Sequence, residues 1–170
     1  MRSMRLLFAV VAVLVLTSGV TSAPVSAQQG SGSAAELTGR DYEEIRALYA
    51  QYNQGSDFRD AELFVSAFAD DAVMIRGNGA TIEGMAALRA DRAERYQGQT
   101  GDNGRRHMNA SHIITATATG AKARAYYVLL DVTTRPPTMT ASGYYDDEFV
   151  RTSKGWKIKK RTLHSDPVSN

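Results

Sequence analysis

The chain has 170 residues, no cysteine and a formal net charge of +2. The absence of cysteine excludes disulfide bonds, thiolate metal sites and a cysteine nucleophile. Two of the positive charges, Arg2 and Arg5, lie in the first segment, so the rest of the chain is close to neutral. Because a near-neutral chain lacks the electrostatic footprint of nucleic-acid binding, we expect no nucleic-acid partner.

Residues 1–27 have the pattern of a secretory signal peptide. A basic start precedes the apolar run Leu6–Leu16, and the small residues Val25–Ala27 form a cleavage site. The apolar run is too short to span a membrane. We expect cleavage after Ala27, with cleavage after Ala23 or a retained anchor as the alternatives. The mature protein is then secreted or periplasmic and has no stable membrane span.

The rest of the chain is expected to form one domain of ordinary size. Residues 28–37 are rich in Gln, Gly, Ser and Ala and are expected to form a flexible leader. The domain covers residues 38–165, and residues 166–170 form a short tail.

The first half of the domain predicts mainly helices. Thr38 is a candidate N-cap with Asp41 as its capping-box partner, and the helix that it starts ends at Gly55-Ser56. A second helix is predicted to start within residues 57–60 and to stop at Asp70-Asp71. The other predicted elements of this half are a short strand at 72–76, a turn at 77–79, a short strand at 81–83, a third helix at 85–96 and a polar loop at 98–104.

The second half of the domain predicts only strands, which are 107–118, 122–133, 138–152 and 156–164. Because helices precede strands, we expect an α+β fold in which about three helices cover one side of a curved, mostly antiparallel sheet. Helices that cover the concave face incompletely leave a cone-shaped cavity. Such a cavity with a few polar side chains is typical of a small-molecule pocket.

Polar residues gather at the start of the first long strand. Because histidine is the side chain that ordinarily changes charge near neutral pH, His107 suits proton transfer, and Asn109 shares its face. Asp57 comes after Gly-Ser and just before the predicted second helix, where capping alone would explain it. Asp131 follows an apolar run, where an ionised carboxylate is costly unless it is paired.

The strand register decides which of these side chains face one pocket. If Gly120-Ala121 is a two-residue hairpin turn, Asp131 and Tyr127 lie on the opposite face from His107 and Asn109. A β-bulge would bring the two sets to the same face. The sequence leaves both arrangements open.

The remaining polar candidates have structural interpretations. His112 is predicted on the opposite face from His107, and His164 lies near the end of the domain. Because the three histidines lack the spacing of a zinc site, we expect no metal. Arg161 is expected to form an outward salt bridge rather than to reach a pocket carboxylate.

The order and spacing of these segments resemble the SnoaL-like group of the NTF2-like superfamily, which includes scytalone dehydratase, bile-acid dehydratases and, more distantly, ketosteroid isomerase. The resemblance covers about residues 38–165 and implies a cone-shaped fold with an enclosed pocket. The segments that carry it are Tyr49–Tyr52, Ser56–Asp60, Phe68–Val73, Glu83-Gly84, His107–Asn109, Gly143–Asp147, Gly155–Ile158 and Arg161.

The resemblance also implies roles for individual residues. Asp57 matches the carboxylate after the first helix of the dehydratases, and His107 matches their general base. Asp131 resembles the mid-strand carboxylate of the bile-acid enzymes. Tyr127 stands where scytalone dehydratase has a second histidine, so we do not expect this chain to catalyse the same reaction as scytalone dehydratase.

A phenol that polarises the substrate carbonyl is implied as well. Ser56 stands where scytalone dehydratase has a tyrosine, so the hydroxyl must come from Tyr49, Tyr52 or Tyr144. Tyr52 and Tyr144 are the preferred donors.

The sequence therefore supports three hypotheses. The first is an exported enzyme without cofactor, a dehydratase or isomerase for a small, largely apolar molecule, with His107 as base, Asp57 as its orienting partner and Tyr52 as donor. The second is a non-catalytic ligand-binding domain, and the third is an assembly module that pairs as a homodimer through the outer sheet face. The residues expected to contact the substrate are Tyr49, Asn109, Tyr127, Asp131 and Tyr144.

Overall fold

The structure is a computed structural model that describes residues 36–167. The predicted signal peptide at 1–27, nearly all of the predicted leader and the last three residues of the tail lie outside the described residues. Within the described range, none of the helices has the length and apolar character needed to cross a membrane.

Three helices precede the long strands, as the sequence predicts: α1 Gly39–Asp57, α2 Ala61–Ser66 and α3 Gly84–Tyr96. The predicted capping box at the start of α1 is confirmed. The Thr38 hydroxyl accepts a hydrogen bond from the Asp41 backbone N–H at 3.3 Å, and the Asp41 carboxylate accepts one from the Thr38 N–H at 2.8 Å.

The end of α1 differs from the prediction in a way that matters for the site. Gly55-Ser56 does not stop the helix, which continues through Asp57. Asp60 is the N-cap of α2, because its carboxylate accepts a hydrogen bond from the backbone N–H of Leu63 at 2.8 Å. Helix capping therefore does not account for Asp57.

Six strands form one sheet. They are β1 Phe68–Ile75, β2 Thr81–Glu83, β3 Arg105–Thr117, β4 Gly120–Asp131, β5 Thr138–Thr152 and β6 Gly155–Ser165. The strand order is β2-β1-β6-β5-β4-β3, and every neighbouring pair is antiparallel except β1 and β6. The predicted α+β class, with helices first and a mostly antiparallel sheet after them, is confirmed.

A β-bulge in β3 fixes the register that the sequence left open. Between Ala110 and Ile113, β3 has one residue more than β4, and Ser111 has a positive φ of 54°. The hairpin turn lies at Ala118-Thr119 rather than at the expected Gly120-Ala121.

The bulge brings the two polar sets onto one face of the sheet. His107 pairs with Leu129, and Asn109 pairs with Tyr127. Arg105 pairs with Asp131. Directly opposed residues of an antiparallel pair point to the same side of the sheet. The side chains of these three pairs therefore all belong to the concave face.

The core fills the space between the helices and the concave face. Ile45 of α1, Phe64 of α2 and Ile158 of β6 are completely buried. Gly55 allows α1 and α2 to approach closely, because a Cβ atom at this position would lie 2.4 Å from the backbone nitrogen of Phe64. This close approach places the end of α1, with Asp57, against the start of β3.

We predict that Gly55→Ala lowers the free energy of unfolding by about 1–3 kcal/mol, since the added methyl group forces the two helices apart. The matched control is Gly39→Ala, where a Cβ atom meets nothing within 4 Å. Urea denaturation of both variants tests this, and equal stabilities of the two would contradict the predicted close packing.

Candidate functional site

A cavity of about 350 Å³ lies between the helices and the concave face of the sheet. This volume is at the lower end of the range for small-molecule pockets. Met74, Ile75, Leu129 and Leu163 supply its apolar wall. The other lining residues are Tyr52, Ser56, Arg76, Gly77, Asn78, Arg92, Arg95, Asn103, Arg105, His107, Arg161 and Ser165.

The Asp57 carboxylate holds His107 through two hydrogen bonds. Its Oδ1 lies 2.5 Å from Nδ1 of the imidazole, and its Oδ2 accepts the backbone N–H of His107 at 2.9 Å. The Asp57 side chain is only 4% exposed and that of His107 is 14% exposed. The structure thus brings together the two residues that the resemblance pairs as base and partner.

The loop before β3 holds this pair in place. The backbone N–H of Asn103 donates to the carbonyl of Asp57, and the Asn103 side-chain amide donates to the carbonyl of Ser56, both at 2.9 Å. These bonds satisfy carbonyls in the last turn of α1. The Asn103 side-chain oxygen accepts the N–H of Arg105 at 2.9 Å, so the start of β3 is aligned with the end of α1.

The hydrogen bond to Asp57 determines what His107 can do. A neutral imidazole whose Nδ1 faces a carboxylate carries its proton on Nδ1 and a lone pair on Nε2. Nε2 makes no hydrogen bond to residues 36–167, and the ring lines the cavity. An imidazole nitrogen in this position can accept a proton from a bound molecule.

Tyr52 lies beside this pair. Its ring meets that of His107 edge to face, with the centroids 6.3 Å apart, and it lines the cavity. Within residues 36–167 the tyrosine hydroxyls that form hydrogen bonds are those of Tyr96 and Tyr127, and the Tyr52 hydroxyl forms none. The hydroxyl can therefore donate to a ligand oxygen near His107.

The other two candidate phenols are not at the cavity. Tyr144 is on the outer face of the sheet, where it stacks on His164 with the centroids 4.4 Å apart, so it does not serve the predicted role. Tyr49 is buried in the core against His112, and burial raises the pKa of its hydroxyl. Of the three tyrosines, only Tyr52 meets the cavity.

Asn109 and Tyr127 face the correct side of the sheet but have partners within the protein. The Asn109 side-chain oxygen accepts a hydrogen bond from the Asn53 amide at 2.5 Å, and Asn109 is not among the lining residues. The Tyr127 ring is buried and stacks on Tyr145, and its hydroxyl donates to the Ser165 hydroxyl at 3.3 Å. Tyr127 therefore supports the cavity wall from behind.

Asp131 lies at the end of β4 and does not line the cavity. Its carboxylate accepts hydrogen bonds from the Thr133 hydroxyl at 2.6 Å and the Thr133 N–H at 2.9 Å, which lower its pKa. The expectation that this carboxylate is costly to bury does not hold, because the strand ends here and the group reaches solvent.

The sequence interpretation of Arg161 is wrong. Its guanidinium is fully buried beneath the cavity and pairs with both Asp147 oxygens, at 2.9 and 2.7 Å. It also lies 4.3 Å from the centre of the Tyr52 ring. Asp147 and Arg161 occupy inward positions that alternate with outward polar residues. This alternation along the two strands was the signal in the sequence that indicated burial of both side chains.

His112 is also placed differently from the prediction. The bulge turns it inward, where its ring meets Tyr49 edge to face at 4.6 Å between centroids, and its Nε2 is buried without a hydrogen-bond partner in the described residues. Burial, with Arg46 nearby, lowers its pKa. Within the described residues, His, Asp and Glu side chains form no cluster that could hold a metal ion.

We predict that the half-buried His112 makes the protein less stable as the pH falls through the ordinary histidine range. A lowered pKa in the folded state means that the unfolded chain binds more protons, so stability is lost as the pH drops below about 6.5. His112→Phe keeps the ring packing but removes this group. The difference in Tm between His112→Phe and the wild type should therefore grow in favour of the variant between pH 7.5 and 5, and parallel pH profiles would contradict it.

We also predict that neutral His107 exists as the Nδ1–H tautomer. Two-dimensional ¹⁵N–¹H correlation spectra of the imidazole nitrogens distinguish the two tautomers. Asp57→Asn removes the negative charge that favours this form and should shift the ring toward the Nε2–H tautomer. An Nε2–H tautomer in the wild type would contradict the geometry.

Comparison with known proteins supports the fold. A family model described as a SnoaL-like domain matches residues 38–162. No curated protein matches the chain at a significant level.

Several solved structures are similar. A protein of unknown function with a cystatin-like fold from Nostoc punctiforme is 23% identical, with a TM-score of 0.68, and the match covers 78% of this chain and 96% of that one. An NTF2-like protein from Novosphingobium aromaticivorans is 25% identical, with a TM-score of 0.65 and coverage of 76% and 84%. A candidate scytalone dehydratase from the same organism is 20% identical, with a TM-score of 0.61 and coverage of 75% and 85%. These similarities show the NTF2-like, or cystatin-like, fold.

Proposed function

Because the chain belongs to the SnoaL-like domain family, we propose that it is an enzyme that works by acid–base chemistry without a cofactor on a small molecule. The observation that carries this proposal is the contact between Asp57 and His107 at a cavity. A histidine oriented by a carboxylate, with its second nitrogen facing a pocket, is suited to proton abstraction.

The reaction that fits best is elimination of water, or isomerisation, beside a carbonyl group. His107 Nε2 takes the proton from the carbon next to the carbonyl, and the electron pair of that C–H bond forms an enolate. Asp57 stabilises the imidazolium, and the Tyr52 hydroxyl donates to the enolate oxygen.

The proton on His107 has two destinations. In dehydration the enolate expels a β-hydroxyl group, which leaves as water with the proton from Nε2. In isomerisation His107 returns the proton to another carbon of the same molecule. Neither route requires an oxidant, a reductant or a co-substrate.

The cavity wall supports a partly apolar substrate. Met74, Ile75, Leu129 and Leu163 offer a surface for a hydrocarbon or aromatic body. The proposal also includes export, which rests on the pattern of residues 1–27. A mature protein that begins at Gln28 would support export, whereas an uncleaved chain that stays in the cytoplasm would contradict it.

The proposal predicts which variants lose activity. The assay incubates each variant with a panel of β-hydroxy carbonyl compounds and detects the loss of water by mass spectrometry. His107→Ala should abolish turnover, and Asp57→Asn should reduce it by about 10²–10⁴-fold. The matched control is His164→Ala, because His164 lies on the outer face against Tyr144.

Two outcomes would contradict an enzyme. One is turnover in His107→Ala at the wild-type rate. The other is a wild type that binds members of the panel but converts none, which would favour a ligand-binding domain of the same fold.

We further propose that the partner of this protein is a second copy of the chain. Three large apolar residues on the outer face of the sheet are strongly exposed: Met108 by 58%, Ile113 by 68% and Tyr126 by 57%. Charges of both signs adjoin them, such as the ion pair of Arg124 with Asp146, so the face can complement itself.

We predict a dimer of the wild type in light scattering coupled to gel filtration. The double variant Ile113→Lys/Tyr126→Lys should be monomeric, since two added charges oppose each other across a symmetric contact. A wild type that stays monomeric at all concentrations would exclude this partner.

A further inference from the structure

The lining of the cavity is strongly basic, a property that the proton-transfer proposal does not use. Five arginines line the cavity, namely Arg76, Arg92, Arg95, Arg105 and Arg161, and none of its lining residues within 36–167 is acidic. A second depression adjoins it and shares Arg92, Arg95 and Arg105; its described lining also contains Arg59 and no acidic residue. The arginines are thus the charged side chains that a ligand meets as it approaches His107 along these surfaces, and the other lining residues besides His107 are neutral.

Asp147 balances the charge of Arg161, but the carboxylates behind this surface do not neutralise the other four arginines. Asp91 alone contacts Arg76, Arg92 and Arg95. In the part of the chain that the structure describes, the guanidinium of Arg105 forms no ion pair. Its cross-strand neighbour Asp131 bonds to Thr133 instead. The mouth of the cavity therefore keeps an excess of positive charge.

Arg92 is held rigidly at the centre of this surface. Its guanidinium lies 4.2 Å from the centre of the Phe64 ring and 5.6 Å from that of Tyr96. Its Nε donates to Asp91 at 2.9 Å, and the side chain is only 8% exposed. A guanidinium that is already fixed loses little entropy when it binds an anion.

The positive surface is close to the proposed base. Arg105 lies two residues before His107 on the same strand, so both side chains point to the same face of the sheet. Arg105 and His107 both line the cavity, as do Arg92 and Arg95. An anionic group at the mouth and a reacting carbon at His107 can thus belong to one small molecule.

We infer that the ligand is a small organic acid, whose carboxylate is bound by Arg92, Arg95 and Arg105 and whose apolar body lies against Met74 and Leu163. Guanidinium groups match a carboxylate with paired hydrogen bonds, and low water access strengthens such bonds. The inference deepens the proposed function and rests on it for the reacting part of the molecule. The preference for a negative charge does not depend on catalysis.

A comparison of trans-cinnamate with cinnamamide tests this inference, because the two share one body and differ in charge. Calorimetry with the wild type at low salt should give a Kd for the acid that is lower by about tenfold or more. The difference should shrink as salt is added, because salt screens partly exposed charges.

Two variants test whether the arginines at the mouth of the cavity cause the preference for the acid. Arg95→Gln/Arg105→Gln alters side chains at the mouth, of which Arg95 is 48% exposed, and should remove the preference for the acid. The matched control is Arg124→Gln, which breaks an ion pair with Asp146 on the outer face and should keep the preference. Circular dichroism checks that each variant is folded.

Several results would overturn the inference. They are equal affinity for acid and amide, an undiminished preference in the double variant, no cinnamate binding at millimolar concentration, or tighter binding of inorganic phosphate than of cinnamate. His107→Ala should still prefer the acid. A protein that selects cinnamate but converts no substrate would contradict the proposed function and leave this inference standing.

Discussion

The structure depends on one contact, in which the Asp57 carboxylate binds both the ring and the backbone of His107. This contact joins the last residue of α1 to the start of β3, and it directs Nε2 of the imidazole away from the carboxylate. A buried carboxylate that loses such partners is left unsatisfied, which costs about 1–3 kcal/mol. The contact therefore stabilises the fold and, in the proposed function, also prepares the imidazole for proton transfer.

A buried ion pair lies below this contact. Arg161 and Asp147 are completely buried and pair through two hydrogen bonds, and the Arg161 guanidinium lies within 5 Å of the ring centres of Tyr49, Tyr52 and Tyr145. Burial raises the pKa of Tyr145, so its phenol stays neutral. A buried ion pair is costly to break, since each lost partner leaves an uncompensated charge. We conclude that this pair keeps the Tyr52 ring in a fixed position beside His107.

Much of the fold could be predicted from the sequence because its periodicity is regular. The capping box at Thr38, the third helix and the four long strands are local patterns, and they appear close to the predicted residues. The pairing of Asp57 with His107 came from the resemblance to the dehydratases. Local patterns did not predict it, because the two residues are 50 positions apart.

The errors have a common physical origin in long-range packing. The bulge at Ser111 depends on how β3 follows the curved sheet, and it decides the positions of His112 and Tyr127. Arg161 was expected to point outward because charged residues usually do, yet Asp147 on the neighbouring strand makes burial possible. The five cavity arginines are spread along the chain: Arg92 and Arg95 share α3, Arg76 follows β1, Arg105 starts β3 and Arg161 lies in β6, so no single stretch of sequence shows them together.

The most direct test of the central claim is a double-mutant cycle between Asp57 and His107, measured by urea denaturation. The account predicts that Asp57→Ala, His107→Ala and the double variant are strongly non-additive, with a coupling of about 1–3 kcal/mol. If the two single effects sum to that of the double variant within about 0.5 kcal/mol, the two side chains act independently and the account is contradicted.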